Sequence, residues 1–331
     1  MVKSAFLGSN TPKGFVGYFD DMMNYYGTII LKGGPGTGKS TLMKKIAEKA
    51  QSEGFDCELY YCSGDPDSLD GVCIPERNFC VLDGTSPHPL DAPAPLINEF
   101  VFNLADKANA EALKPFAVTI KEHLAYKKRY YQCAYAYLRA AASLRKYCDD
   151  YILSRTDERS LNVAALDIAN QINRGTRAAR RFFADAITPK GDVSFLDSLV
   201  QEKRIFALIA PSDAVAREVI SRTEKLLAVR GLNSHSLKSP FFPESGLHLV
   251  TDDIAVVAQT NSDADKIYEF RPLTADLSHI EAEARDLTDK AIGCFVKARE
   301  HHLAVEEYYV KNMDFADINK KTQRILSIIF G

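Results

Sequence analysis

Eight consecutive residues constrain this chain more than any others: Gly33-Gly34-Pro35-Gly36-Thr37-Gly38-Lys39-Ser40, a match to the pattern G-x-x-x-x-G-K-S. Glycines let the backbone take positive φ, so that successive N–H groups turn inward around an anion. A helix starting at the same point adds the positive end of its dipole. The flanks supply both partners. Residues 28–32 (Thr-Ile-Ile-Leu-Lys) are apolar, β-branched and bounded by glycines, and predict a buried strand. Over residues 39–53, Leu42, Met43, Ile46, Ala47 and Ala50 recur at helical spacing, and Gly54 ends the helix. Residues 58–62 and 78–82 read as further strands. The expected class is α/β, with mostly parallel sheets flanked by helices.

The same residue types predict a chemistry. Lys39 is expected to reach the β- and γ-phosphates of a nucleotide, and the Ser40 hydroxyl to ligate Mg²⁺. A cation held by one hydroxyl needs a carboxylate nearby, and Asp83, directly after the apolar run Phe79-Cys80-Val81-Leu82, is the candidate. No glutamate follows Asp83, which favours phosphoryl transfer or slow, switch-like turnover over a motor. Asp65, Asp67 and Asp70 lie within six residues, at the sheet edge where open α/β folds bind ligands. One of them is a candidate general base or outer-shell Mg²⁺ partner; a solvated turn explains the same letters. His88, in Asp83-Gly84-Thr85-Ser86-Pro87-His88, is a candidate γ-phosphate sensor. The guanine-reading pattern N-K-x-D is absent, so ATP is expected rather than GTP. Arginines 174, 177, 180 and 181 form a cluster that reads as a solvated helix face rather than a source of an arginine finger. The adjacent His301 and His302 point to different sides of a helix, which argues against a metal site.

With 41 basic and 44 acidic side chains the net charge is −3. Nothing in that balance attracts nucleic acid or an anionic membrane. No apolar run approaches the ~18 residues of a membrane span, and the first residues do not form a signal peptide. The seven cysteines form an odd set without a C-x-x-C pair and read as reduced core thiols, so a cytoplasmic location is expected.

At 331 residues the chain is long enough for two domains, and it repeats itself. Thr11-Pro12-Lys13-Gly14 recurs as Thr188-Pro189-Lys190-Gly191, and the same shift aligns Val16 with Val193, Asp20 with Asp197 and Leu31 with Leu208. Residues 110–186 are expected to be helical, with Ile120, Leu124, Tyr131, Ala134, Leu138, Ala141 and Ile152 near a 3.5-residue repeat and a returning helix over 161–186. A second helical stretch is expected over 278–330. The expected division is 1–186, a phosphate-loop domain with a helical appendage from about 110, and 187–331, a similar domain with its own C-terminal appendage. In the second copy the loop residues become Ala210-Pro211-Ser212-Asp213-Ala214-Val215-Ala216-Arg217. Glycines, lysine and magnesium hydroxyl are gone.

The segments Thr-Pro-Lys-Gly-Phe (11–15), Leu-Lys-Gly-Gly-Pro-Gly-Thr-Gly-Lys-Ser-Thr-Leu-Met-Lys-Lys-Ile (31–46), 62–76 with its Asp65-Pro66-Asp67-Ser68-Leu69-Asp70-Gly71-Val72, and 83–88 resemble the uncharacterised bacterial tandem P-loop ATPase-like proteins. The resemblance spans essentially the whole chain. It implies two P-loop domains, each with a helical appendage, and ATP bound by residues 33–41, Thr41 included. It implies no substrate. Two function classes follow: an ATP-dependent enzyme acting on water or a small acceptor, or a nucleotide-regulated module that recruits a protein partner.

Overall fold

The computed structural model describes residues 1–24, 26–259, 264–271 and 276–331. The first half opens with β1 (Val2–Ala5), a hairpin of β2 (Gly8–Thr11) and β3 (Gly14–Gly17), and the short α1 (Phe19–Met23). β4 (Gly27–Lys32) and α2 (Lys39–Ser52) flank the glycine loop, followed by β5 (Cys57–Cys62), β6 (Asp65–Ile74), β7 (Phe79–Asp83) and β8 (Glu99–Asn103). α3 (Ala110–Leu113) leads into α4 (Ala117–Leu153) and α5 (Glu158–Gln171). The second half runs through β9 (Arg180–Phe182), β10 (Asp185–Thr188), β11 (Gly191–Ser194), α6 (Leu196–Val200), β12 (Arg204–Ile209) and α7 (Asp213–Val229). It ends with β13 (His235–Lys238), β14 (Gly246–Val250), β15 (Ile254–Ala258), β16 (Lys266–Glu269), α8 (Ser278–Val310) and α9 (Phe315–Phe330).

The fold is mixed α/β with two mostly parallel six-stranded sheets. Their orders are β1-β5-β6-β7-β4-β8 and β9-β13-β14-β15-β12-β16, the same element for element. In the first, β6 alone runs antiparallel to both neighbours; β14 does so in the second. Residues 63–77 carry no strand signal between the strands expected at 58–62 and 78–82, yet β6 occupies most of them. Its Asp, Pro and Gly residues suggest a turn, but pairing to β5 on one side and β7 on the other holds ten residues extended. Cys73 and Cys80 face each other across β6 and β7 and are joined as a disulfide, a correction to the expectation of reduced thiols throughout. The helix expected over 161–186 stops at Gln171, and residues 180–182 form a strand instead. There Arg180 and Phe182 are buried while Arg181 is exposed, the period-2 pattern of β9 against β13.

Phe6 and Phe183 join the halves through a reciprocal pair of backbone bonds, each N–H donating to the other's carbonyl at 2.9 and 2.8 Å. Neighbouring contacts also come in exchanged pairs. Ser4 N donates to Ser198 Oγ and Arg181 N to Asp21 Oδ2. The Phe6 ring packs on Phe195 at 4.9 Å and Phe183 on Tyr18 at 5.5 Å.

Each helical hairpin packs on the other half's sheet. Ile152, Leu161 and Ile168 of α4 and α5 share a core with Phe206, Val215 and Leu249. Ile318, Ile325 and Ile329 of α9 share one with Leu42, Ile46 and Val81. Burying each such side chain contributes roughly 1.5–3 kcal/mol, so both crossings are held firmly. The two long helices meet at the centre, with Ala134 and Leu138 against Ala291 and Phe295. Tyr131 meets the Phe295 ring at a tilt and Tyr135 meets it edge-on there, so these tyrosines serve packing between helices.

Candidate functional site

β4 is buried from Thr28 to Leu31 and delivers the chain to the loop; α2 leaves it with Leu42, Met43 and Ile46 fully buried beneath. Gly36 and Gly38 take φ of 71° and 84°, the left-handed region in which a side chain would be strained. Gly38 is the cap from which α2 begins at Lys39. Lys39 Nζ donates to the carbonyls of Gly33 and Gly34 at 2.7 and 2.9 Å and lies 3.6 Å from Asp83 Oδ2. Thr37 Oγ1 donates to Gly34 O at 2.9 Å and ties the loop to itself. Ser40 Oγ accepts the N–H of Leu69 at 3.0 Å, coupling the start of α2 to β6. Thr41, the next residue, is exposed. Pro35 is half-buried.

The last residue of β7 is Asp83, beside Leu31 of β4. Its Oδ1 accepts from Thr85 N and Oγ1, which orients the carboxylate. His88 Nδ1 lies 2.8 Å from Asp83 O, and its ring stacks on Phe19 at 4.3 Å. Its Nε2 is 3.6 Å from Asp70 Oδ2, a buried oxygen without a hydrogen-bond partner. Burial, with Asp83 adding to it, pushes the Asp70 carboxyl up to about 6, against the pull of His88. An acid tuned this way can take or give a proton near neutrality. Lys39, Ser40, Asp70, Asp83 and His88 therefore converge. The other two carboxylates do not share this pocket. Asp65 accepts from Arg299 Nε at 2.8 Å and from Ser68 Oγ at 2.7 Å. Exposed Asp67 binds Lys190 at 2.6 Å, whose hydrogen bond holds its carboxyl below the usual range.

The arginine cluster is engaged elsewhere. Arg180 forms a paired contact with Glu58 at 2.6 and 2.9 Å, and Arg181 binds Asp21 at 2.7 Å. Arg174 and Arg177 are exposed. His301 and His302 both lie against α4, where His301 packs on Tyr126 and its Nδ1 lies 2.9 Å from His123 Nδ1, while His302 Nδ1 accepts from Lys127.

Residues from the second half also reach the loop. A Cβ on Gly36 would lie 2.8 Å from Glu306 O and 2.9 Å from Val310 Cγ2, and one on Gly34 3.6 Å from Tyr309. One face of α8 thus lies along the glycines. The sequence offers no local sign of this, because it depends on which sheet α8 crosses to.

In the second half, α7 starts at Asp213 behind Ser212. There Asp149 of α4 accepts from Ser212 Oγ at 2.5 Å and from Arg217 Nη2 at 2.6 Å. A carboxylate of the chain itself lies at the head of the helix.

Against known families, residues 19–72 match the model described as Nephrocystin 3, N-terminal. The match runs from α1 through the loop and α2 to most of β6. No curated protein and no solved structure matches the chain. Among the described residues no helix is long and apolar enough to cross a membrane.

Proposed function

We propose that the first half binds ATP with Mg²⁺ on residues 33–41 and is an enzyme that hydrolyses ATP or passes its terminal phosphoryl group to a small acceptor at the Asp70 edge. The observation that carries this reading is the grouping of Gly36 and Gly38 at positive φ with Lys39 Nζ on the loop carbonyls and Asp83 3.6 Å away. The Ser40 hydroxyl and the Asp83 carboxylate are hard oxygen donors of the kind that Mg²⁺ requires, and the orphaned Asp70 oxygen is left free to take a proton. Ser40 and Asp83 would hold the ion, which screens phosphate charge when bound. Lys39 binds the phosphates, Asp70 accepts a proton from the attacking hydroxyl or water, and His88 keeps Asp70 company as the group that senses the terminal phosphate. The identical strand orders and the exchanged contacts at Phe6 and Phe183 support two copies of one P-loop-like fold, in keeping with the tandem resemblance, of which only the first retains a usable loop.

A second reading, a nucleotide-regulated protein-binding module, is favoured by the contact of α8 with Gly36, which links the loop to two long helices. The test is ADP release by the wild type, Lys39→Ala and Asp70→Asn, with and without a panel of small acceptors. Turnover that requires both residues supports the enzyme; turnover unchanged in Lys39→Ala refutes it.

A further inference from the structure

The contact between α4 and α8 follows a coiled-coil seam. Ile120, Ala134, Leu138, Ala141, Cys148 and Ile152 are buried at intervals that fit a 3.5-residue repeat, as are Ala284, Ala291, Phe295, Ala298 and Val305 on α8. Lys127 and His302 both fall on that repeat, where apolar side chains belong, and they meet there: Lys127 Nζ lies 2.9 Å from His302 Nδ1. Burial lowers both groups, His302 to about 4, so the imidazole is the neutral acceptor of a lysine that makes no ion pair among the described residues. A half-buried ammonium without a carboxylate costs stability, and nothing in the packing of the seam requires one.

Its place in the fold gives it a use. On α8, Arg299 precedes His302 by one turn and holds Asp65, while Glu306 follows by one turn and lies against Gly36. His302, with the Nζ it accepts from, is bracketed along α8 by those two contacts, one to the start of β6 and one to the glycine loop. Tyr131, one turn beyond Lys127 on α4, lies against Gly64 at the same edge. The charge of Lys39 is felt at both Lys127 and His302. Lys39 itself is occupied with the loop carbonyls of Gly33 and Gly34.

We propose that Lys127 is a second phosphate ligand of this site, brought to it by the long helix and held in position by His302, and that it contacts the terminal phosphate of the bound nucleoside triphosphate. This rests on the reading of residues 33–41 as a nucleotide site. The α- and β-phosphates are the business of the loop N–H groups; Lys127 approaches from the opposite side and distinguishes a triphosphate from a diphosphate. His302 is a positioning residue.

The test is calorimetric titration of Lys127→Met with Mg·ATP and with Mg·ADP. Methionine keeps the methylene packing and removes the charge. The expected result is a Kd for Mg·ATP raised about tenfold, a loss typical of one charged phosphate contact, with Mg·ADP within about threefold of wild type and a Tm no lower. His302→Gln should move the ATP-to-ADP ratio in the same direction by less. An unchanged ratio, or equal loss of both nucleotides, would overturn the assignment. Lys39→Ala separates the two levels: if it loses ATP while Lys127→Met does not, only the role of Lys127 fails; if it keeps ATP, the loop reading fails and this role with it.

Discussion

Asp149 and Arg217 form an ion pair of 2.6 Å at the head of α7, each side chain only 12% exposed. In the first half the corresponding place is kept by the glycine loop. α4 ends at Leu153 and α8 at Val310, and aspartate caps, Asp157 and Asp314, start the helices that follow, so Asp149 and Glu306 stand at the same position in their hairpins. Glu306 lies against Gly36, and burial raises its carboxyl above the usual range. Asp149 has instead gained an arginine where the loop has Ser40. In the second half a carboxylate of the chain itself, paired with Arg217 and Ser212, fills the head of α7.

Removing one member of that pair strands the other in a low-dielectric setting. Arg217→Ala should cost about 3 kcal/mol of stability by urea unfolding, while an Asp149→Asn, Arg217→Met double change should cost clearly less than the sum of its parts. Additive losses would mean the pair is not coupled.

The second test is metal dependence. Asp83→Asn should weaken Mg·ATP binding at least about tenfold and leave metal-free ATP binding nearly unchanged, because the proposed role runs through the cation. Equal losses with and without Mg²⁺ would remove Asp83 from the metal site.

Two glycines separate loop strain from loop function. At Gly14, φ is 99° and a Cβ would meet nothing within 4 Å, so Gly14→Ala should cost only about 1 kcal/mol with nucleotide binding intact. At Gly36 the added Cβ meets the Glu306 backbone as well. Gly36→Ala should therefore lose nucleotide affinity by about tenfold or more, and its thermal unfolding should begin earlier. Equivalent behaviour of the two variants would show that α8 does not press on the loop.

Acid should loosen the joint between the halves. Burial and the charge of Arg180 hold His235 down at about 3, and against the opposing effect of burial, Arg180 holds Glu58 at about 2. Below their ordinary values of 6.5 and 4.5 the unfolded chain takes up protons that the folded protein refuses. Stability is then complete above pH 6.5, falls as pH drops through the His235 window, and falls more steeply below pH 4.5. His235→Gln should flatten the first part of that decline. A Tm unchanged from pH 7 to pH 5 would contradict the His235 assignment, and one unchanged from pH 5 to pH 3 that of Glu58.

How much of this was legible in the sequence follows from the range of the forces involved. The loop, β4 and α2 are specified within a few residues by glycine conformation and hydrophobic period, and Asp83 at the end of β7 by its apolar run. β6 was not legible, because Asp65, Pro66, Asp67 and Gly71 are turn formers locally and only the two neighbouring strands hold them extended. Arg180 reads as a surface residue until Glu58, 122 positions away, is known to pair with it. Lys127 drops out of an apolar heptad by its charge, although it sits on the repeat. The crossing of each hairpin to the other half's sheet leaves no trace in any local window.

Nucleotide binding by one half and not the other is what we propose for this chain. It is tested most directly by calorimetric titration of the whole chain with Mg·ATP. One equivalent bound per chain is expected in the wild type and none in Lys39→Ala, with Arg217→Ala still at one. Two equivalents in the wild type, or one that persists in Lys39→Ala, would contradict it.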